Sequence, residues 1–573
     1  MTYKNKTLRR AAAAAAAICL AFAFAFAEET GADRLGFGTS ITVSADDLEY
    51  NIGTAKITYT TDASGNVTIT KVEAGDETSI QIPKTIDGGE VKAIGSNAFD
   101  GCTSLESVFY PSLISGTDEI PSGTAQVSYT KTALDVTVDY VYTANKTSFE
   151  IPETIDRQAV TAIGRDAFRS NYYLESVTLP QSVKSIGKSA FENCYDLTSI
   201  NIPQKVTAIS DRTFSGCPSL KSVNIPSNVT SIGEYAFENC ISLANITIPS
   251  SVTSIGEGAF FNCYALANVT IPSSVTSIGD LAFHRCTSLE SIILPPSVTS
   301  IGDNAFLGCT SLETVIFPQS AKLGTQPFPL NTAQILYTKD ASTGNVTVTK
   351  VKAGSETSIE IPETIDGGTV KIIGANAFDG CSSLTSITLP QSLTSIEDLA
   401  FDQCTALQNI NIPQNVTNIG VSAFLQCESL TSITIPSGVT SIKTSAFAYC
   451  TSLKSIELPD HLVSIGVSAF NCCTSLENIV IPAEVTSVGQ FAFSACTSLE
   501  SITLPPSVTS IGNNAFQVCT SLESITLPPS VTSIGRNAFK DCTSLKAVFA
   551  KEGVPLELAS VPSDAVKIYY QVE

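Results

Sequence analysis

Residues 496–518 read CTSLESITLPPSVTSIGNNAFQV, and Cys519 opens CTSLESITLPPSVTSIGRNAFKD, so the chain begins the same phrase again after 23 residues. Cysteine keeps this step from Cys194 to Cys309 in six copies and from Cys381 to Cys542 in eight. Phenylalanine keeps it from Phe168 to Phe306 in seven copies and from Phe378 to Phe539 in eight, with Phe99 alone in front. Sixteen turns are therefore expected. A fixed period of roughly 20 to 50 residues marks a stacked solenoid, in which no unit buries its apolar face alone and neighbours complete the core. Length alone would suggest several domains, but a solenoid grows by adding rungs to one elongated body.

With cysteine as position 0, the unit is C-T-S-L-x-S-I-x-(I/L)-P-x-S-V-T-S-I-G-x-x-A-F-x-x. The segment Leu522 to Leu527 reads as a strand ended by proline, which cannot continue the pairing. Val531 to Ile534 reads as a shorter strand or extended turn, and the N-A-F stretch as one tight helical turn carrying Ala and Phe inward. Glycine usually follows the second segment, yet Ser210, Glu397 and Lys443 hold that slot in three copies. Each would be strained by roughly 1 kcal/mol or more in a left-handed conformation, so close packing, not positive φ, selects the glycine.

The stretch LESITLPPSVTSIGNNAF resembles the BspA-like leucine-rich repeats of surface and secreted proteins from mucosal bacteria and some parasitic protists. The resemblance covers about four fifths of the chain. It implies a repeat solenoid, a β-rich horseshoe or rod with short helical turns. It further implies an adhesin-like protein that binds extracellular proteins, host matrix or plasma proteins among them, or other cell surfaces. The family motif carries no catalytic residue, so no active site transfers with it.

The period breaks three times in the same way, at SIQIPKTIDGGEVKAIGSNAF before Asp100, SFEIPETIDRQAVTAIGRDAF before Arg169 and SIEIPETIDGGTVKIIGANAF before Asp379. Each has 16 residues from proline to phenylalanine against 11 from Pro528 to Phe539, an insertion of five around T-I-D-G-G. Hairpin signals, YTTDASGNVTITKV and YTKDASTGNVTVTKV, precede two of them. The N-terminus has a basic start, an apolar run and small residues at Ala25 and Ala27, the pattern of a signal peptide cleaved after Ala27; an uncleaved membrane anchor is the alternative. The expected organisation is a signal peptide at 1–27, a leader at 28–53, a hairpin module with one repeat at 54–125, a first array at 126–330, a hairpin module with the second array at 331–549, and a C-terminal cap at 550–573 that closes the open edge. The rungs predict a stack on the order of 75 Å long.

A net charge of −22 with two histidines argues against nucleic acid, since backbone binding needs clustered Lys and Arg. No later run is apolar enough to span a bilayer, so the exported chain is expected to be secreted or surface-held and not an integral membrane protein. Cysteines 23 residues apart lack the close pairs that zinc requires, and they read as a ladder of buried thiols; disulfides between rungs are the alternative. Asn171 in the cysteine slot of one rung favours packing over obligatory pairing. His284 and His461 have no recurring acid or nucleophile beside them, and neither a phosphate loop nor a dinucleotide fingerprint is present. The expectation is a binding protein without catalysis, metal or cofactor; a structural envelope scaffold and a glycan-binding accessory are the competing readings, the latter weakened by the lack of tryptophan.

What remains is the outward face of the main strand, positions 4, 5 and 7, where position 7 is mostly Thr or Asn and makes a hydroxyl and amide ladder. Departures from it mark candidate binding residues. Glu290 and Ile293 stand beside Glu313 and Ile316, an acidic and aliphatic patch with an exposed apolar pair. In the second array Lys454, Glu457, Glu477 and Val480 form a mixed charged cluster.

Overall fold

The computed structural model describes residues 47–571; the expected signal peptide and the leader up to residue 46 lie outside the described residues. The unit Glu49–Glu573 is a β-solenoid of stacked coils with almost no helix. In most regular coils the long strand buries its central residue between two outward ones, as Ile525 lies between Ser524 and Thr526, because alternate side chains point to opposite faces. Successive long strands pair in parallel at the 23-residue step, Asn478 with Ser501 and Val480 with Thr503. The second segment is a two-residue strand, and Ser510–Ile511 pairs in parallel with Ser487–Val488 before it and Ser533–Ile534 after it.

The expected helical turn at N-A-F is not helical. The one helical element among the described residues is a three-residue 3-10 turn, Thr117–Glu119. In the regular coils the residues two before and two after the phenylalanine have positive φ, for example Leu399 (57°) and Gln403 (57°), or Asn514 (59°) and Val518 (63°). This alternation aims every second amide along the solenoid. Phe424 donates to the Ala446 carbonyl at 2.9 Å and Gln426 to Ala448 at 2.9 Å, while Leu425 donates back to Ser422 at 3.1 Å. The turn is thus a third ladder between coils, which a helix, bonding only to itself, could not supply. Inside it the phenylalanine rings stack at centroid distances from 4.8 Å for Phe168 and Phe191 to 5.8 Å for Phe516 and Phe539.

The glycine after the short strand has no left-handed φ, and its role is close approach. A Cβ on Gly256 would lie 2.7 Å from Gly233 C and 2.8 Å from Glu234 N. Where side chains replace it, the short-strand ladder suffers in two of three coils. Ser210 reaches the Ile186 carbonyl with its hydroxyl at 2.6 Å, and the ladder restarts beyond it. At Lys443 the sheet that ends at Asn418–Ile419 is separate from the one that begins at Ser441–Ile442. At Glu397 the amide still bonds to Ile373 at 2.9 Å.

Three apolar cores follow one another, and two strands face both ways at their boundaries. On Ser107–Pro111, Val108 and Tyr110 point into the first core and Phe109 into the second. On Thr314–Pro318, Val315 and Phe317 belong to the second core and Ile316 to the third. Each boundary strand pairs in parallel with the next strand, Ala125–Lys131 or Ala333–Lys339, which in turn forms an antiparallel hairpin with Val136–Tyr142 or Val346–Lys352. The first of these hairpins, around Thr132 to Asp135, lacked the Gly-Asn signal that marked the others in the sequence. The T-I-D-G-G insertion is itself a tight hairpin: Thr85–Ile86 returns onto Gly89–Ile94 through Asp87 (47°) and Gly88 (91°), both at positive φ as such a turn requires. The C-terminal segment buries Val554, Leu556 and Ala559 against the end of the third core. It does not close the sheet: its strand Val566–Tyr570 pairs with Ala547–Lys551 on one side and leaves its other edge unpaired among the described residues.

Candidate binding face

Hydrogen bonds between rungs stack the position 4 residues in register. Glu313 N donates to the Glu290 carbonyl at 3.0 Å and Glu477 N to the Lys454 carbonyl at 3.3 Å. Glu290, Glu313, Lys454, Glu457 and Glu477 are all exposed on the outward face, as are Ile293 and Val480, the latter 81% exposed. Glu457 accepts from the Thr434 hydroxyl at 2.9 Å, which orients its carboxylate.

Ile316 departs from the expectation. It pairs with Ile293 on one side, but on the other it pairs with Ile335 of the hairpin strand, which covers it, and it is buried. The exposed apolar pair reduces to Ile293 alone. Glu290 and Glu313 instead line a groove of about 560 Å³ at the boundary between arrays, with Leu330, Asn331, Thr332 and Glu356.

Two features were missed in the sequence. Lys454 and Glu477 belong to a longer run at position 4, continuing through Glu500 and Glu523 to Lys546, whose ammonium lies 3.1 Å from Glu523. Reading position 4 down the repeats would have found it. The second feature is the slot after the cysteine, where threonine usually donates its hydroxyl to the rung before, Thr497 to Thr474 at 3.2 Å and Thr520 to Thr497 at 3.3 Å. Five successive rungs of the first array carry Tyr172, Tyr195, Pro218, Ile241 and Tyr264 there, and the rings of Tyr172 and Tyr195 lie 4.8 Å apart. The tyrosines and Ile241 are exposed, a stripe of apolar side chains beside the polar strand face.

The thiols are committed to structure. Each ladder sulfur but one donates to the phenylalanine carbonyl of the preceding coil, as Cys450 does to Phe424 at 3.2 Å, and Cys381 at the head of the second array donates to Val351 at 3.6 Å. Burial pushes the thiols of Cys194, Cys240 and Cys450 up to about 12, which withholds the reactive thiolate. In the slot of Asn171 the amide donates to the Val141 carbonyl at 2.8 Å, doing for its rung what the thiols do for theirs. Cys472, outside the ladder, is half-buried. His284 stacks on Phe261 at 4.9 Å, and burial lowers its pKa; His461 is held by Glu484 at 3.0 Å, which raises its pKa. Among the described residues no cluster of His, Cys, Asp and Glu could hold a metal, and no helix is long and apolar enough to cross a membrane.

The model of the BspA type leucine-rich repeat region matches residues 75–122, 139–264, 207–332, 352–473 and 463–556. Among solved structures, a leucine-rich repeat protein from Bacteroides ovatus is 29% identical over 78% of this chain and 98% of its own, with a TM-score of 0.34. A leucine-rich repeat protein of T. pallidum is 30% identical over 37% of this chain and 87% of its own, with a TM-score of 0.29. A leucine rich cell surface protein from Faecalibacterium prausnitzii is 25% identical over 88% of this chain and 96% of its own, with a TM-score of 0.23. No curated protein matches the chain. The repeat matches span well over half of the sequence, and the chain belongs to the BspA-type leucine-rich repeat family.

Proposed function

We propose that the protein is an exported, non-catalytic, adhesin-like binding protein that uses its outward strand face to engage extracellular proteins on host or microbial surfaces. The observation that carries this reading is the exposure of positions 4, 5 and 7 along both arrays, Ile316 excepted, with a run of charges at position 4 and isolated apolar side chains on that face. Val480 is 81% exposed and Ile293 38% exposed in strands whose other outward residues are hydroxyls, amides and charges. An unpaired aliphatic side chain on a rigid, regularly spaced polar surface suits a small apolar anchor ringed by polar contacts, the anatomy of a protein interface. Export rests on the N-terminal apolar run ending at Ala27.

The test is a binding screen of residues 28–573 against matrix proteins, plasma proteins and a glycan array, repeated with Ile293→Thr and Val480→Thr. Both changes restore the consensus side chain and leave the core untouched. Saturable protein binding that either change weakens is the expected result. Binding to glycans alone would favour the accessory reading, and no binding to any protein would favour an envelope scaffold.

A further inference from the structure

The joint that links the arrays occurs a third time at Val566–Tyr570, and there one edge is unpaired among the described residues. In the two internal joints a tyrosine on the strand after the boundary strand donates its hydroxyl to a carbonyl below, Tyr129 to Ile82 at 2.6 Å and Tyr337 to Leu294 at 2.8 Å. Tyr570 donates to Leu527 in the same way. The parallel register agrees as well: Tyr337 faces the last residue of Thr314–Pro318, and Tyr570 the last residue of Ala547–Lys551. By that register Val566, Ile568 and Tyr570 stand where Ala333, Ile335 and Tyr337 do. The internal three are fully buried, because an antiparallel strand pairs with their outer edge and the next core covers them. Val566 is 58% exposed and Ile568 39%.

We propose that this edge is completed by the same strand of a second copy of the chain, in a two-fold antiparallel pair centred on Ile568. Both internal joints specify an antiparallel partner at this position, and an antiparallel pair is the arrangement that two identical edges can make. Val566 N donates to Lys546 O at 2.7 Å, so by alternation the amides of Lys567 and Tyr569 point outward. Centred on Ile568, the outward groups of Lys567 meet those of Tyr569 in the second copy, and the reverse. Lys567 then lies opposite a tyrosine and not another lysine, so no like charges oppose each other although the chain carries −22 overall. Val566 meets Tyr570 across the pair, and Ile568 meets itself. An edge of five residues buries little surface, so the dimer is weak and concentration-dependent.

Sedimentation equilibrium of residues 28–573, carried from micromolar to millimolar concentration, should show a monomer–dimer equilibrium. Tyr569→Pro removes one outward donor without touching the pairing to Ala547–Lys551, and should weaken the dimer by about tenfold or more. On a Cys472→Ser background, Ile568→Cys should cross-link to itself under mild oxidation, since directly opposed Cβ atoms lie about 5 Å apart. Lys567→Cys should not cross-link to itself but should do so when mixed with Tyr569→Cys. A monomer throughout the range, a dimer that Tyr569→Pro leaves intact, or self-linking by Lys567→Cys in place of Ile568→Cys would overturn the proposal. The cross-linking readout stands even if the proline variant fails to fold.

Discussion

Asn171 accepts from both the amide and the hydroxyl of Thr143, at 3.0 and 2.9 Å, with both residues buried. Its own amide donates to Val141 at 2.8 Å and to Phe168 at 2.9 Å. One side chain thus satisfies four polar groups where the cysteine ladder would begin.

Asn171→Leu leaves the Thr143 amide and the Val141 carbonyl buried without partners, and should destabilise the first coil by about 2–4 kcal/mol. Asn171→Cys restores a donor towards Val141 and should lose less. Because a solenoid opens locally, the measurement is hydrogen exchange at Thr143 and its neighbours, not a single global melt. Equal protection in all three proteins would contradict the assignment.

Val518 holds φ 63°, a conformation that a β-branched residue adopts only under strain. Val518→Gly should therefore raise local stability by about 1 kcal/mol, offset in part by the greater freedom of glycine in the unfolded chain. Gly380 and Gly308 already occupy the same slot in other coils at positive φ. A drop in denaturation midpoint on Val518→Gly would show that side-chain packing outweighs the backbone term.

Phe447 is fully buried between Phe424 at 5.3 Å and Phe470 at 5.7 Å. Phe447→Ala should cost about 3–5 kcal/mol and split the second array into two independently melting blocks. Limited proteolysis should then cut near residues 440–455, whereas the parent chain is cut only outside the arrays.

Burial and the neighbouring Asp379 carboxylate raise the pKa of Asp402, whose Oδ1 is buried without a hydrogen-bond partner. With the folded pKa above the unfolded one, the protonated form favours folding, and the native state loses stability as pH rises through the interval between the two values. Asp402→Asn mimics the protonated form, so its melting temperature should exceed the parent's at neutral pH and converge with it below the unfolded value of 3.8. A difference independent of pH would remove titration as the cause.

In native protein the ladder thiols are buried and only Cys472 is partly accessible. A thiol reagent should label about one cysteine of residues 28–573 quickly, and Cys472→Ser should abolish that phase. In denaturant without reductant, all sixteen cysteines of that span should react. Most of them found oxidised would replace the ladder of free thiols with disulfides between rungs.

The sequence by itself determined the solenoid, its step and its inward residues, because each coil repeats the same apolar set and identical units bury that set only by stacking in register. It also identified the glycine after the short strand as a close-approach position, since Ser210, Glu397 and Lys443 exclude a left-handed requirement there. It could not reveal the left-handed residues that flank each phenylalanine. Leu399, Phe491 and Val518 occupy them, and such side chains carry no signature of positive φ; hydrogen bonds to the next coil impose the conformation and outweigh the local preference. Nor could it place Ile316, which holds the same slot as exposed Ile293 and is buried only because a hairpin 17 residues further along folds back over it. Periodic features are local and repeat in the text of the chain, whereas the cover over a boundary strand and the open edge at Val566–Tyr570 depend on which segment comes to lie beside them, and only the tertiary structure decides that.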